Sequence, residues 1–276
     1  MTQSAFLVHP SAVVASTAQL DAGVEVGPYA VIGPHVRIGE KTWIGPHAVI
    51  EGRTTIGREN RLFQFASVGA IPQDKKYRGE ESVLIIGDGN TIREFATLNP
   101  GTSGGGMVTR VGDHNLFMVY SHVAHDCTVG NHVVLANAAT LAGHVTLEDH
   151  VTVGGLVGVH QFTHIGESAL LAAGAMVSQD VPPYCIATGD RAHLLGLNLI
   201  GLKRRGFLSE EVAALKKAYR ILFAEGLPLK EALARICEEH PSSPVIAHLV
   251  EFVADSQRGV CRPRGAADPE GGEELL

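Results

Sequence analysis

Val111-Gly112-Asp113-His114-Asn115-Leu116-Phe117-Met118-Val119-Tyr120-Ser121-His122-Val123-Ala124-His125-Asp126-Cys127-Thr128-Val129 opens a stretch, ending near Val181, that holds one six-residue phase. Every sixth residue from Val111 is Phe117, Val123, Val129, Leu135, Leu141, Leu147, Val153, Val159, Ile165, Leu171 and Val177, and none is polar. A second series reads Asn115, Ser121, Cys127, Val133, Ala139, Val145, Val151, Val157, Thr163, Ala169, Ala175 and Val181, so a small or short side chain accompanies each large one. A fixed short period is the signature of a solenoid, in which no repeat can bury its apolar face alone and each must stack on its neighbours.

The same six-residue period, one residue out of step with the later series, already runs through Val8, Val14, Leu20, Val26, Ile32, Ile38, Ile44, Ile50, Ile56, Leu62 and Val68. Gly27, Gly33, Gly39, Gly45 and Gly57 follow the aliphatic position directly, and Pro28, Pro34 and Pro46 come next, so each hexad reads as a short strand and a corner. Alternation alone also permits a sheet of hairpins, but hairpins do not hold one six-residue phase over eleven repeats.

The phase lapses between Gly69 and Leu84, where Gln73-Asp74-Lys75-Lys76-Tyr77-Arg78-Gly79-Glu80-Glu81 is too polar for a core. It resumes at Ile86, Ile92 and Leu98 and lapses again at Gly101-Thr102-Ser103-Gly104-Gly105-Gly106. Both read as external loops, near 69–85 and 100–110. The second lacks the Gly-Lys-Ser/Thr of a phosphate loop and reads as flexible. Pro182-Pro183 reads as the end of the strands, and from about Ala192 the apolar spacing is helical. Ser209 is a candidate N-cap, Gly226 a candidate C-cap, and further helices are expected over 229–239 and 244–256. The expected organisation is a β-helix over 1–190, a helical domain over 191–262, and a disordered Pro-, Gly- and Glu-rich tail over 263–276.

Composition bounds the function. A net charge of -7 argues against general nucleic-acid binding. Aromatics are only 5% while Gly reaches 32, which suits β-branched strands and corners. Cys127, Cys185, Cys237 and Cys261 form no Cys-x-x-Cys pair, and neither a signal sequence nor a long apolar span is present. A soluble, cytoplasmic, reduced protein without stable membrane insertion is expected.

The aliphatic hexads, both loops, the Ser121-His122-Val123-Ala124-His125-Asp126 motif and Gly201-Leu202-Lys203-Arg204-Arg205-Gly206 together resemble the UDP-N-acetylglucosamine O-acyltransferases that open lipid A biosynthesis, over roughly residues 6 to 262. The resemblance implies a left-handed parallel β-helix with three hexads per coil, a small helical C-terminal domain, and a homotrimer with active sites in clefts between subunits. That hand departs from the usual right-handed crossover. The implied reaction moves a 3-hydroxyacyl group from acyl carrier protein to the sugar 3-hydroxyl, with neither metal nor other cofactor. Carried over residue by residue, His125 is the general base and Asp126 orients it, while His122, His144, His160 and Gln161 line the cleft. Asp74 and Lys76 match sugar-nucleotide or acyl-chain contacts, and Asn198, Arg204 and Arg205 match positions that meet the nucleotide and the carrier protein. Ala173 matches an acyl-chain ruler, with Leu170 or Leu171 as alternative groove floor. Ile200 departs from members with an acidic residue there.

With three hexads per coil, residues 18 apart stack at about 4.8 Å, so His125, Gly143 and Gln161 form one column, with His144 and His160 beside it. A neutral imidazole can take a proton from an attacking sugar hydroxyl, worth roughly 10²- to 10⁴-fold. A carboxylate beside it fixes the tautomer. Gly143 lets a backbone N–H approach an oxyanion unobstructed. His35, His47, His114, His132 and His150 read instead as corner residues, and Cys127 as core. The rival readings are a zinc-dependent hydratase of the γ-carbonic anhydrase kind, opposed by the His-x-x-His-Asp pattern and the basic helical domain, and a non-catalytic β-helical scaffold.

Overall fold

The computed structural model describes residues 7–264. Two-residue strands alternate with four-residue corners and build three parallel sheets that form the walls of a left-handed triangular prism. The first sheet has eleven strands, the second nine and the third eight. Three successive hexads supply one strand to each sheet, so pairing partners lie one coil apart, as in Val13↔Val31 and Leu135↔Val153. We call the corner between first and second sheets the first corner, that between second and third the second, and that between third and first the third.

The six-residue phase is the phase of burial. Ile44, Ile50, Ile56, Leu62, Leu135 and Leu171 are all sealed inside the prism, as are the short residues Cys127, Ala139, Val145 and Ala175. Val8 and Val14, in the first described coil, are less covered. The polar members of the second series, Asn115, Ser121 and Thr163, are buried too, and along the third corner asparagine side chains accept backbone amides. Asn115 Oδ1 accepts the Val133 amide at 2.6 Å, and Asn90 Oδ1 accepts the Asn115 amide at 2.9 Å.

Most corners place one residue in the left-handed backbone region, for example Tyr29, His47, His114, His132 and His150 with φ between 55° and 60°. A non-glycine residue pays about 1–2 kcal/mol there. Its amide is compensated by the coil below, as where His132 N–H reaches Asp113 O at 2.9 Å. The side chains project outward and stack: His114 on His132 at 5.2 Å and His132 on His150 at 4.7 Å along the third corner.

Both external loops leave from the second corner. Ser67 pairs with Thr97 and Thr97 with His122, so the loops are spliced in without disturbing the register of the second sheet. They span 69–82 and 99–107, because the strands Val83–Ile86 and Val108–Val111 begin earlier than the polarity of the sequence suggests.

The expected boundary at 190/191 falls inside a strand pair. Cys185–Thr188 continues the first sheet, and His193–Leu197 pairs with it antiparallel, capping the prism. Pro182-Pro183 therefore does not end the strands, and the segment from Ala192 is not yet helical. Its buried Leu194 mimics a helical spacing while belonging to an edge strand. Four helices follow: α1 (Leu199–Arg204), α2 (Ser209–Phe223), α3 (Leu229–Glu239) and α4 (Pro244–Asp255). Ser209 is the first helical residue rather than the cap, and Glu211 Oε2 accepts the Leu208 amide at 2.7 Å instead. Helices α2 to α4 pack around Leu215, Ile221, Ile236, Ile246 and Leu249. After α4 the chain returns to the prism, where Val260 bridges Asp180 and Pro263 bridges Leu194. The start of the expected tail is thus docked, and the rest of it lies outside the described residues.

Candidate active site

His125 and Asp126 occupy the second corner between strands His122–Val123 and Thr128–Val129. Asp126 sits at φ 60°, its amide donating to Thr109 Oγ1 at 2.8 Å. That bend turns the carboxylate inward, where its side chain is 0% exposed. Asp126 Oδ2 lies 2.8 Å from His125 Nδ1 and accepts the Thr102 hydroxyl at 2.6 Å, while Oδ1 accepts the Thr102 amide at 2.9 Å. An ionised carboxylate accepts protons only, so His125 Nδ1 is the donor and Nε2 keeps its lone pair. In that tautomer Nε2 is the nitrogen left to accept a hydrogen bond.

Gly143 lies directly over this ring. A Cβ at Gly143 would stand 2.5 Å from His125 Cε1, so no side chain fits there. Among the described residues its amide donates to no protein acceptor, although its carbonyl takes the Phe162 amide at 3.1 Å. His144 meets His125 edge to face at 5.1 Å and stacks on Phe162 at 4.3 Å. Burial pulls His144 below the ordinary histidine range, against the opposing charge of Asp126. His122 is also held low, first by burial and then by His125, and its Nδ1 lies 2.6 Å from Thr97 Oγ1. Burial drives the Cys127 thiol up to about 12, which removes it as a nucleophile.

His125, Asp126 and His144 offer donor atoms within 4.8 Å of one another, the one cluster of metal-ligating type among the described residues. Both carboxylate oxygens already accept hydrogen bonds, and the two rings stand at 89°.

Asp74 and Lys76, from the first loop, are near enough for their charges to act on His144. His160 is exposed, with Nδ1 3.0 Å from Gln161 O, and it lines a cavity of about 360 Å³ on the outer face of the second sheet with Thr140, Gly158, Met176 and Arg191. Ala173 is exposed at the first corner, on the opposite edge of that sheet from His125. Leu171 is 0% exposed inside the prism and cannot floor a groove.

Asn198, Arg204 and Arg205 are not beside His125 in this chain. Asn198 caps α1, accepting the Gly201 amide at 3.1 Å, and donates to Ser168 O at 3.0 Å. Arg205 pairs with Glu167 at 2.8 Å and also meets Ser168, which puts the basic cluster at the third corner. Thr97, Thr102, Thr109 and Phe162 carry no signal in the hexad phase and escape a reading of the sequence. The glycines beside Thr102 are the one hint, and they read as flexibility rather than as close packing.

A prism of hexads with an imidazole–carboxylate pair at one corner defines a hexapeptide-repeat acyltransferase. A family model described as UDP-N-acetylglucosamine O-acyltransferase, domain 2, matches residues 180–261. The acyl-(acyl-carrier-protein):UDP-N-acetylglucosamine O-acyltransferase of Herminiimonas arsenicoxydans is 54% identical over 93% of this chain and 99% of its own. That of Neisseria gonorrhoeae is 57% identical over 93% and 99%. LpxA from Acinetobacter baumannii superposes with a TM-score of 0.90 at 42% identity, covering 93% of this chain and 100% of its own. The UDP-N-acetylglucosamine acyltransferase of Francisella novicida superposes with a TM-score of 0.91 at 39% identity, covering 98% and 100%. The chain belongs to the UDP-N-acetylglucosamine O-acyltransferase family.

Proposed function

We propose that this protein transfers a 3-hydroxyacyl group from the thioester of acyl carrier protein to the 3-hydroxyl of UDP-N-acetylglucosamine, the first step of lipid A biosynthesis. The observation that carries the mechanism is the Asp126–His125 pair, 2.8 Å apart with the carboxylate buried, and with Nε2 left as the acceptor. His125 Nε2 takes the proton of the sugar hydroxyl as that oxygen attacks the thioester carbonyl. The amide of Gly143 stabilises the oxyanion, and the imidazolium returns its proton to the departing thiolate. Asp126 holds the tautomer and balances the charge that develops on the ring. His122 and His144, kept neutral by burial, and His160 and Gln161 above them position the acceptor. Asp74 and Lys76 of the first loop meet the sugar nucleotide or the chain. No metal or other cofactor takes part in this scheme. The chain runs over the second sheet toward Ala173 at its far edge.

Asn198, Arg204 and Arg205 bind the nucleotide and the acidic carrier, and their position at the third corner supports a homotrimer whose clefts take residues from two copies. The carrier-borne donor makes the enzyme cytoplasmic. No helix among the described residues is long and apolar enough to cross a membrane. Acyl transfer assayed with N-acetyl and 3-amino sugar nucleotides tests the substrate. Mixing inactive His125→Ala with inactive Arg205→Ala subunits tests the shared cleft: regained turnover is expected, and its complete absence in reassembled mixed trimers would refute it.

A further inference from the structure

The second external loop closes over the carboxylate of Asp126. The Thr102 carbonyl accepts the amides of Gly105 at 3.1 Å and Met107 at 2.9 Å, so the loop folds tightly around this one residue. Thr102 is 3% exposed and gives Asp126 both its hydroxyl and its amide. The glycines serve proximity. A Cβ at Gly105 would fall 2.1 Å from Asp126 Cγ, and one at Gly101 would fall 2.1 Å from the Val108 amide nitrogen. Ser103 Oγ reaches Glu80 Oε1 at 2.7 Å, latching this loop to the first.

We propose that Thr102 is a positioning residue of the reaction: through it, the Gly101–Met107 loop holds the Asp126 carboxylate in the orientation that aims His125 Nε2 at the acceptor hydroxyl. This rests on His125 being the base. Asp126 Oδ2 serves two donors, the Thr102 hydroxyl and the His125 ring, and no water reaches the side chain to replace either. With the hydroxyl gone, the carboxylate is free to rotate toward the donors that remain, and the ring follows it. Hydrogen bonds to charged groups are among the stronger ones in proteins, and misplacement near the reacting atoms is costly to rate. Thr102 touches Asp126 rather than either substrate, so the loss belongs in kcat.

The test compares Thr102→Val, Thr102→Ser, Gly105→Ala and His125→Ala, with kcat, KM for each substrate and melting temperature measured on each. Thr102→Val should lower kcat by about ten-fold or more with both KM values within about two-fold of wild type. Thr102→Ser, which keeps the hydroxyl, should recover kcat to within about three-fold, and Gly105→Ala should lower it at least as far as Thr102→Val. Wild-type kcat in a folded Thr102→Val, or equal damage in the Val and Ser variants, overturns the proposal. If Thr102→Val does not fold, unchanged kcat in folded Gly105→Ala overturns it. His125→Ala separates the two readings: an active His125→Ala removes the base itself, whereas a dead His125→Ala beside an unaffected Thr102→Val removes the clamp alone.

Discussion

The second and third corners both set histidine against carboxylate, yet they do different work. At the second, Asp126 takes one nitrogen of His125 and leaves the other as a free acceptor. At the third, Glu148 lies 2.9 Å from Nε2 of both His164 and His248, while His248 Nδ1 lies 3.0 Å from the Tyr184 hydroxyl. Every polar atom of His248 is therefore occupied, and its ring joins α4 to the prism. The ladder His114, His132 and His150 lower on the same corner stacks in parallel, while His125 and His144 stand edge to face. A histidine in a repeat position becomes chemically available only where a loop outside the repeat supplies its carboxylate with other partners.

The sharpest break of this comparison is His125→Ala against His132→Ala. The first should lower kcat by roughly 10²- to 10⁴-fold in a protein that remains folded. The second should leave kcat within about two-fold. Near-wild-type turnover in His125→Ala would erase the distinction between the corners.

A smaller effect concerns the acyl groove. Releasing one methylene's worth of space at Ala173→Gly is worth about 0.8 kcal/mol, roughly four-fold in selectivity, toward longer 3-hydroxyacyl chains. Competition between carrier proteins loaded with chains of graded length reads this out, and an unmoved optimum removes Ala173 from the groove.

The smallest effect tests the third corner as a joint. Burial would raise the Glu148 carboxyl, but hydrogen bonds from His164 and His248 outweigh it and bring it down to about 2. Its stabilisation is present above the ordinary value of 4.5 and is lost as pH falls toward 2. His248 is raised above 6.5, first by its hydrogen bond to Glu148, with burial opposing and the charges of Glu148, Glu167 and Glu251 adding to the rise. Its share is full below 6.5 and is lost as pH climbs through the raised value. The joint is thus strongest between about pH 4.5 and 6.5. His248→Gln should lower the melting temperature by about 2–4 °C at pH 6, a loss near 1 kcal/mol, and by less at pH 9. An equal drop at both pH values would mean that the charge contributes nothing.

The prism was legible because burial follows a six-residue period that shifts by one residue only between Leu98 and Val111, and each aliphatic residue in those two series from Val26 to Val177 is interior. His125 and Asp126 were legible through a family motif rather than through periodicity. Thr102 was not, since a glycine-rich segment looks alike whether the glycines confer mobility or allow a backbone to lie against a carboxylate. The third-corner position of Arg205 was equally hidden, because side-chain partners such as Glu167 depend on how the capping strands turn after Pro183. Leu194 shows the remaining failure: an edge strand and a helix stripe can present the same apolar spacing.

Along the first corner the rings of Tyr29, His47, Phe65, Phe95 and Tyr120 stack at 4.9 to 5.3 Å. The first loop lies between Phe65 and Phe95 in sequence, and the second between Phe95 and Tyr120, yet the spacing does not register either. The scaffold is in this sense deaf to what is inserted at its opposite edge. Those loops can be lengthened, shortened or exchanged while the prism stays unchanged.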